Sequence, residues 1–227
     1  MPTAREALLD AALASLSGLP WSAVRMVDVA SAAGVSRQTL YNEFGSKEGL
    51  ARALVRREAD AYLQGVERVL AAPSPGSPGG PPSPRRNLAA VAEWTVTQAF
   101  TRPVLRALLT GCWGERLPVP RPARAGSRAS AVPAQRRADA GVPSPTDLLG
   151  LARDRAAAAL QDRDGDVRNA CEIVLRLALS YVVAPAPVFG EGQCADPESW
   201  SPTTPTITSV IDTIFRVDTT SPRKTIP

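Results

Sequence analysis

Two glycines constrain this chain more than any other feature. Between Val27 and Ala71 apolar residues recur at helical spacing, but Gly34 and Gly45 interrupt the run. Glycine enters the left-handed conformation that ends a helix without the penalty of a Cβ. Each glycine is soon followed by a serine that can cap a new helix, Ser36 after Gly34 and Ser46 after Gly45. The pattern predicts a two-turn helix over Val27 to Ala33, a second over Arg37 to Phe44, and a long one from Ser46 to about Ala71. Glu48 falls in the first turn of the long helix, where an acid is favourable. Val29, Ala33, Val35 and Leu40 form the apolar wedge between the two short helices. Ala30 is small where they cross.

The rest of the chain also reads as helix, so the fold class is all-α. Thr3 to Ser17 has helical periodicity and is stopped by Gly18 and Pro20. Leu88 to Phe100 is amphipathic, and Val104 to Trp113 continues after a break at Pro103. Ser144-Pro145-Thr146-Asp147 places serine as N-cap, proline at the first helical position and an acid at the third. That helix reaches about Gln161. Asp166 to Val183 is apolar almost all round and needs cover on every side. Ile207, Val210, Ile211, Ile214 and Phe215 form the stripe of a last helix, opened by Pro205. Two segments break the pattern. Residues 73–84 hold only Pro, Ser and Gly, which places a solvated connector over 73–86. Residues 114–143 are rich in Pro, Arg, Ala and Ser, and predict a long disordered loop.

Composition removes several chemistries. The chain has no histidine, so Ser-His and Cys-His catalysis and His-ligated metals are excluded. Cys112, Cys171 and Cys194 lie far apart and form no CxxC pair, which argues against a zinc site or a disulfide framework. Asp162, Asp164 and Asp166 lack the further ligands and terminal Glu of a calcium loop. No Gly-rich phosphate loop or paired-carboxylate motif occurs. We therefore expect no catalytic residue, metal or cofactor. No run of about 18 uncharged apolar residues is present, and the N-terminus does not resemble a secretory signal, so the expectation is a cytoplasmic protein without a membrane partner.

The stretch from Asp28 to Tyr41 has the spacing of a helix-turn-helix, whose second helix enters the DNA major groove. The polar side of that second helix carries Arg37, Gln38, Thr39, Tyr41 and Asn42. Arginine can grip a guanine edge, and Gln or Asn an adenine edge. Tyr41 and Lys47 suit phosphate, as do the N-terminal amides behind Ser46. Charge contributes little. The net charge is +4, the first 60 residues carry seven basic and seven acidic side chains, and the excess of arginine falls in 114–146.

The longer run Val27-Asp-Val-Ala-Ser-Ala-Ala-Gly-Val-Ser-Arg-Gln-Thr-Leu-Tyr-Asn-Glu-Phe-Gly-Ser-Lys-Glu-Gly-Leu50 closely resembles the DNA-binding signature of TetR-family (TetR/AcrR-like) transcriptional regulators. The resemblance covers about residues 5–60. It implies a three-helix DNA-binding domain over 1–46 and a helical ligand-binding and dimerisation domain over 47–227, about nine helices in all. It further implies a homodimer, paired through 166–183 and 207–216, that reads a roughly palindromic double-stranded DNA operator. In the family pattern Tyr41 and Lys47 fall on phosphate-contacting positions, and Ser36, Arg37, Gln38, Thr39 and Asn42 on the recognition helix. Arg25 stands where the family often has a phosphate-contacting threonine. The connector and the basic loop are longer than the family plan requires.

A regulator of this kind responds to a small-molecule effector. Aromatic or polar residues on otherwise apolar helices are the pocket candidates: Tyr62, Trp94, Gln98, Phe100, Cys112, Trp113 and Tyr181. Few of them are charged, which predicts a largely apolar ligand and a repressor released by it. Two other readings stay open: a DNA-binding regulator switched by cysteine oxidation, and an enzyme on a helical scaffold.

Overall fold

The computed structural model describes residues 3–72, 84–122, 141–160 and 166–184. Among these residues there are eight α-helices and no strand. They are α1 (Ala4–Ser15), α2 (Met26–Ala32), α3 (Arg37–Phe44), α4 (Lys47–Ala71), α5 (Pro84–Thr101), α6 (Pro103–Thr110), α7 (Pro145–Ala159) and α8 (Asp166–Val183). A short 3-10 turn, Trp21–Ala23, precedes α2. None of the described helices is long and apolar enough to cross a membrane.

The two glycines act as their positions demand. Gly34 has φ +67° and Gly45 has φ +70°, which is why α2, α3 and α4 are separate helices. α1 opens on a feature not read from the sequence. The Glu6 amide donates to Thr3 Oγ1 at 3.2 Å, and the Thr3 amide donates back to Glu6 Oε2 at 2.7 Å. This reciprocal cap satisfies two N–H groups that the helix start would otherwise leave open. α7 begins in the same way, with Ser144 and Asp147 exchanging bonds of 3.1 and 3.2 Å.

Two helix limits differ from the expectation. α5 starts at Pro84 rather than near Leu88, taking the end of the presumed connector into its first turn, where proline's missing N–H is no loss. α6 ends at Thr110 rather than Trp113. Gly111 has φ +74° and donates to the Ala107 carbonyl at 2.8 Å, so the glycine stops the helix and leaves Cys112 and Trp113 beyond it.

The described residues fall into two compact units. The first comprises the described residues within Met1–Tyr62 and Pro103–Leu148, and the second those within Leu63–Arg102 and Leu149–Pro227. In the first unit α1, α2 and α3 pack on one another, and the start of α4 closes their core. Leu8, Leu40, Leu50 and Leu54 are fully buried there, each contributing roughly 1.5–3 kcal/mol of transfer free energy. The described ends of the 114–143 stretch are fastened within this unit. The Trp21 amide donates to the Arg116 carbonyl at 2.9 Å, Arg52 Nη1 to the Arg121 carbonyl at 3.0 Å, and Arg56 Nε to the Gly141 carbonyl at 3.3 Å.

In the second unit α5 packs against α8. Trp94 lies on the α4 backbone at Gly65, where a Cβ would meet the indole at 2.1 Å. Asn87 Nδ2 donates to the Leu70 carbonyl at 3.3 Å, serving one of the open acceptors in the last turn of α4. Arg153 and Arg176 both reach Glu172, at 3.1 and 2.8 Å. These pairs are largely exposed and worth only about 0–1 kcal/mol each. The connector over 73–83, the loop over 123–140, the striped helix over 207–216 and Cys194 lie outside the described residues.

Candidate nucleic-acid interface

α3 is fixed at both ends and along one face. Ser36 Oγ accepts from the Thr39 amide at 3.0 Å, and the Gly45 amide donates to the Tyr41 carbonyl at 2.9 Å. Leu40 and Phe44 are sealed into the core. Arg5 of α1 pins the helix from behind. Its guanidinium donates to Glu43 Oε2 at 3.1 Å and to the Glu43 carbonyl at 3.3 Å, and it lies 4.7 Å from the centre of the Phe44 ring. Arg57 of α4 donates to Asp10 of α1 at 2.6 Å and to the Leu9 carbonyl at 3.1 Å. The helix is thus held at both ends and along one face, and its opposite face is exposed.

That face carries Arg37, Gln38, Tyr41 and Asn42, all exposed, with Tyr41 46% exposed. Gln38 Nε2 donates to Asn42 Oδ1 at 3.0 Å, so the two amides are joined one turn apart. Thr39 is half-buried, and its hydroxyl lies 2.9 Å from Ser36 Oγ in the cap. Four of the residues named for this helix are therefore brought together on one surface, and Ser36 and Thr39 hold its start.

Arg25 and Lys47 stand in more committed positions. Arg25 is the N-cap residue of α2 and grips Asp28 with two bonds, of 2.7 and 2.9 Å. Its hydrogen bonds hold the Asp28 carboxyl below the usual carboxylate range. Lys47 Nζ donates to the Ser22 carbonyl at 3.1 Å and lies 5.3 Å from the centre of the Trp21 ring. Partial burial draws its ammonium pKa down, with Glu48 acting in the opposite direction. Lys47 thus fastens the start of α4 to the Trp21–Ala23 turn. Arg5, Arg57, Asp28 and Trp21 were missed as supports of this surface. The i, i+3 spacing of Arg25 and Asp28 was a usable signal; the pairs of Arg5 and Arg57 span 38 and 47 residues and left none.

The pocket candidates are divided between the two units. In the first unit Tyr62 is fully buried, Cys112 is exposed, and Trp113 lies half-buried beside Arg52 in a cavity. In the second, Trp94, Gln98, Phe100 and Tyr181 are half-buried. Cys171 is buried, and desolvation pushes its thiol pKa up to about 12. No group of acidic or sulfur ligands able to hold a metal occurs among the described residues.

Residues 8–54 match the family of bacterial regulatory proteins called the tetR family. The N-terminal domain is of the tetR family. The chain is 48% identical over 66 residues to the HTH-type transcriptional regulator AlkX of Mycobacterium tuberculosis (strain ATCC 25618 / H37Rv). The match spans 29% of this chain and 31% of the relative. Two solved structures are similar over most of the chain. One is the TetR family repressor AlkX of Dietzia sp. strain DQ12-45-1b, implicated in biodegradation of n-alkanes, at 20% identity, 94% coverage of both chains and a TM-score of 0.49. The other is a TetR transcriptional regulator of Rhodococcus sp. RHA1, at 19% identity, 93% and 95% coverage and a TM-score of 0.43.

Proposed function

We propose that the protein is a sequence-specific, DNA-binding transcriptional regulator, acting in the cytoplasm as a homodimeric repressor. The observation that carries this reading is the exposed face of α3, where Arg37, Gln38, Tyr41 and Asn42 lie on a capped helix whose other face is locked in the core of a tetR-family head. Arg37 is suited to guanine, the Gln38 and Asn42 amides to adenine, and Tyr41 to phosphate. Lys47 and Arg25 add positive charge at the helix starts beside the face. With no net charge over the first 60 residues, affinity rests on the placement of these groups.

The dimer reading is supported by α8, which leaves Ile173 48% and Val183 66% exposed. A second copy covering these side chains, together with the stripe at 207–216, gives two reading heads related by a two-fold axis and so a roughly palindromic operator. Release comes from a small, largely apolar ligand that binds the DNA-incompetent state more tightly than the competent one. Oxidation at Cys171 is the weaker alternative, because that buried thiol, at about 12, carries almost no thiolate.

The test is selection from random duplex DNA, with Tyr41→Ala as the control. The expected result is an inverted repeat recovered by the wild type, bound roughly ten-fold more weakly by Tyr41→Ala at unchanged helical content. Binding that fades with salt and selects no sequence refutes the proposal.

A further inference from the structure

The turn before α2 gathers cations from three separate stretches of the chain. The Lys47 ammonium, at the start of α4, lies 5.3 Å from the centre of the Trp21 ring and donates to the Ser22 carbonyl at 3.1 Å. Arg25 follows the turn as the N-cap of α2. The third contribution comes from the segment after α6, whose Arg116 carbonyl accepts from the Trp21 amide at 2.9 Å. The start of α3 lies near the same place. The Asp28 carboxyl is drawn down first by its bond to Arg25 and further by the charge of Arg37. All of these residues belong to the first unit.

The segment after α6 is held in place. The Leu117 amide donates to the Gly114 carbonyl at 3.1 Å, which closes a turn with Glu115 and Arg116 at its two central positions. Pro118, next along, is buried. Arg52 Nη1 donates to the Arg121 carbonyl at 3.0 Å. Arg116 is exposed, and among the described residues no hydrogen bond or ion pair engages its guanidinium. Arg25 differs, since two bonds commit it to Asp28. The acids of this surface are Asp28, Glu48 and Glu115. Against them stand Arg25, Arg37, Lys47, Arg116 and Arg121, the last of which adds its charge to the bonds that lower the Glu48 carboxyl, the strongest being that from the residue's own amide. The first 60 residues alone have no surplus charge, so the two arginines from beyond them leave this surface positive.

We propose that the segment after α6 is a second DNA-contacting element, in which Arg116 binds the phosphate backbone beside the base pairs faced by α3. The proposal rests on the DNA-reading proposal above and adds to it a contact from outside the helix-turn-helix. A guanidinium on a tight turn that is already ordered meets a phosphate with little further loss of freedom. Such a contact strengthens binding and sets its salt dependence, but carries no sequence information.

Full-length wild type, Arg116→Gln, Arg116→Lys and Arg106→Gln are titrated by fluorescence anisotropy into two labelled duplexes at salt between about 50 and 200 mM. One duplex is that recovered by wild-type selection, and the other is a random sequence of equal length. Arg106 is an exposed arginine of α6 in the same unit and controls for net charge alone. Arg116→Gln is expected to lower the slope of log K against log salt by about 0.9 for each bound subunit on both duplexes. Its deficit against the wild type then shrinks roughly three- to four-fold per contact across that salt range. Arg116→Lys should keep the slope, and the sequence selected by Arg116→Gln should match that of the wild type. The substitution retains the carbonyl that holds Trp21, so melting curves should coincide. An unchanged slope in Arg116→Gln, an equal fall in Arg106→Gln, or a changed selected sequence overturns the phosphate contact. Wild-type protein that binds duplex but selects no sequence overturns the DNA-reading proposal, and the slopes on the random duplex then decide the Arg116 contact by themselves. Absence of binding to either duplex overturns both.

Discussion

Replacing Gly49 with alanine opposes two ordinary effects and isolates one contact. A glycine-to-alanine change inside a helix normally stabilises by about 0.5–1 kcal/mol, because the unfolded chain loses freedom. At Gly49 the added Cβ would lie 1.9 Å from the Phe44 carbonyl oxygen, about 1.5 Å short of the 3.4 Å at which ordinary contact begins. The obstructing atom is backbone, so no side-chain rotation can relieve it. The Phe44 carbonyl also accepts from the Ser46 amide at 2.8 Å, which ties it into the turn between α3 and α4. Overpacking of this kind costs roughly 1–3 kcal/mol. Gly49→Ala should therefore destabilise the first unit by about 2 kcal/mol, and amide exchange over residues 37–55 should quicken by roughly thirty-fold. Gly150→Ala is the matched control. Its Cβ meets nothing within 4 Å, so that variant should gain about 0.5–1 kcal/mol. The assay is hydrogen exchange by mass spectrometry, with urea denaturation followed by circular dichroism. If both variants are stabilised alike, the close approach of the α3 and α4 backbones is refuted.

Three further outcomes are expected. Ser36→Ala should cost about 1 kcal/mol through loss of the α3 cap, and Ser36→Asp should restore most of it; urea midpoints check this, and an unchanged Ser36→Ala midpoint removes the cap from the account. The Asp147 carboxyl is held below the ordinary aspartate value of 3.8 by its bonds to Ser144, so its contribution is present above that pH and fades as the pH falls through the lower folded value. Asp147→Asn should flatten that part of the acid-unfolding curve, and an identical acid limb in both proteins would contradict it. In native protein at pH 8 iodoacetamide should modify exposed Cys112 and spare Cys171, whose thiol sits at about 12; similar labelling of the two would show that Cys171 is not buried as described.

The reading head was legible because its signals are local. Gly34 and Gly45 punctuate, Ser36 caps, and apolar residues at helical spacing mark the faces of α2 to α4; all lie within a few residues of what they control. The reciprocal bonds of Thr3 and Glu6 were equally local and were overlooked. α6 was drawn too long because its apolar period runs smoothly to Trp113, while Gly111 ends the helix through a backbone angle that periodicity does not encode. The supports of α3 were not legible, since the pairs Arg5–Glu43 and Arg57–Asp10 depend on helices meeting in space. The same holds for the cavity. Arg52 looks like one more solvated arginine on a charged helix face, and only the return of the chain at Arg121 and Gly141 encloses it.

The bond between Gln38 and Asn42 bears on how such a surface could change over generations. Each amide sets the orientation of the other, so the two positions behave as one inherited character rather than two. Altering Gln38 alone frees Asn42 to turn, and altering Asn42 alone frees Gln38, so a single step disturbs two side chains of the exposed α3 face at once. A descendant that adopts a new target is then expected to exchange both residues together. Arg37, outside that bond, can drift by itself.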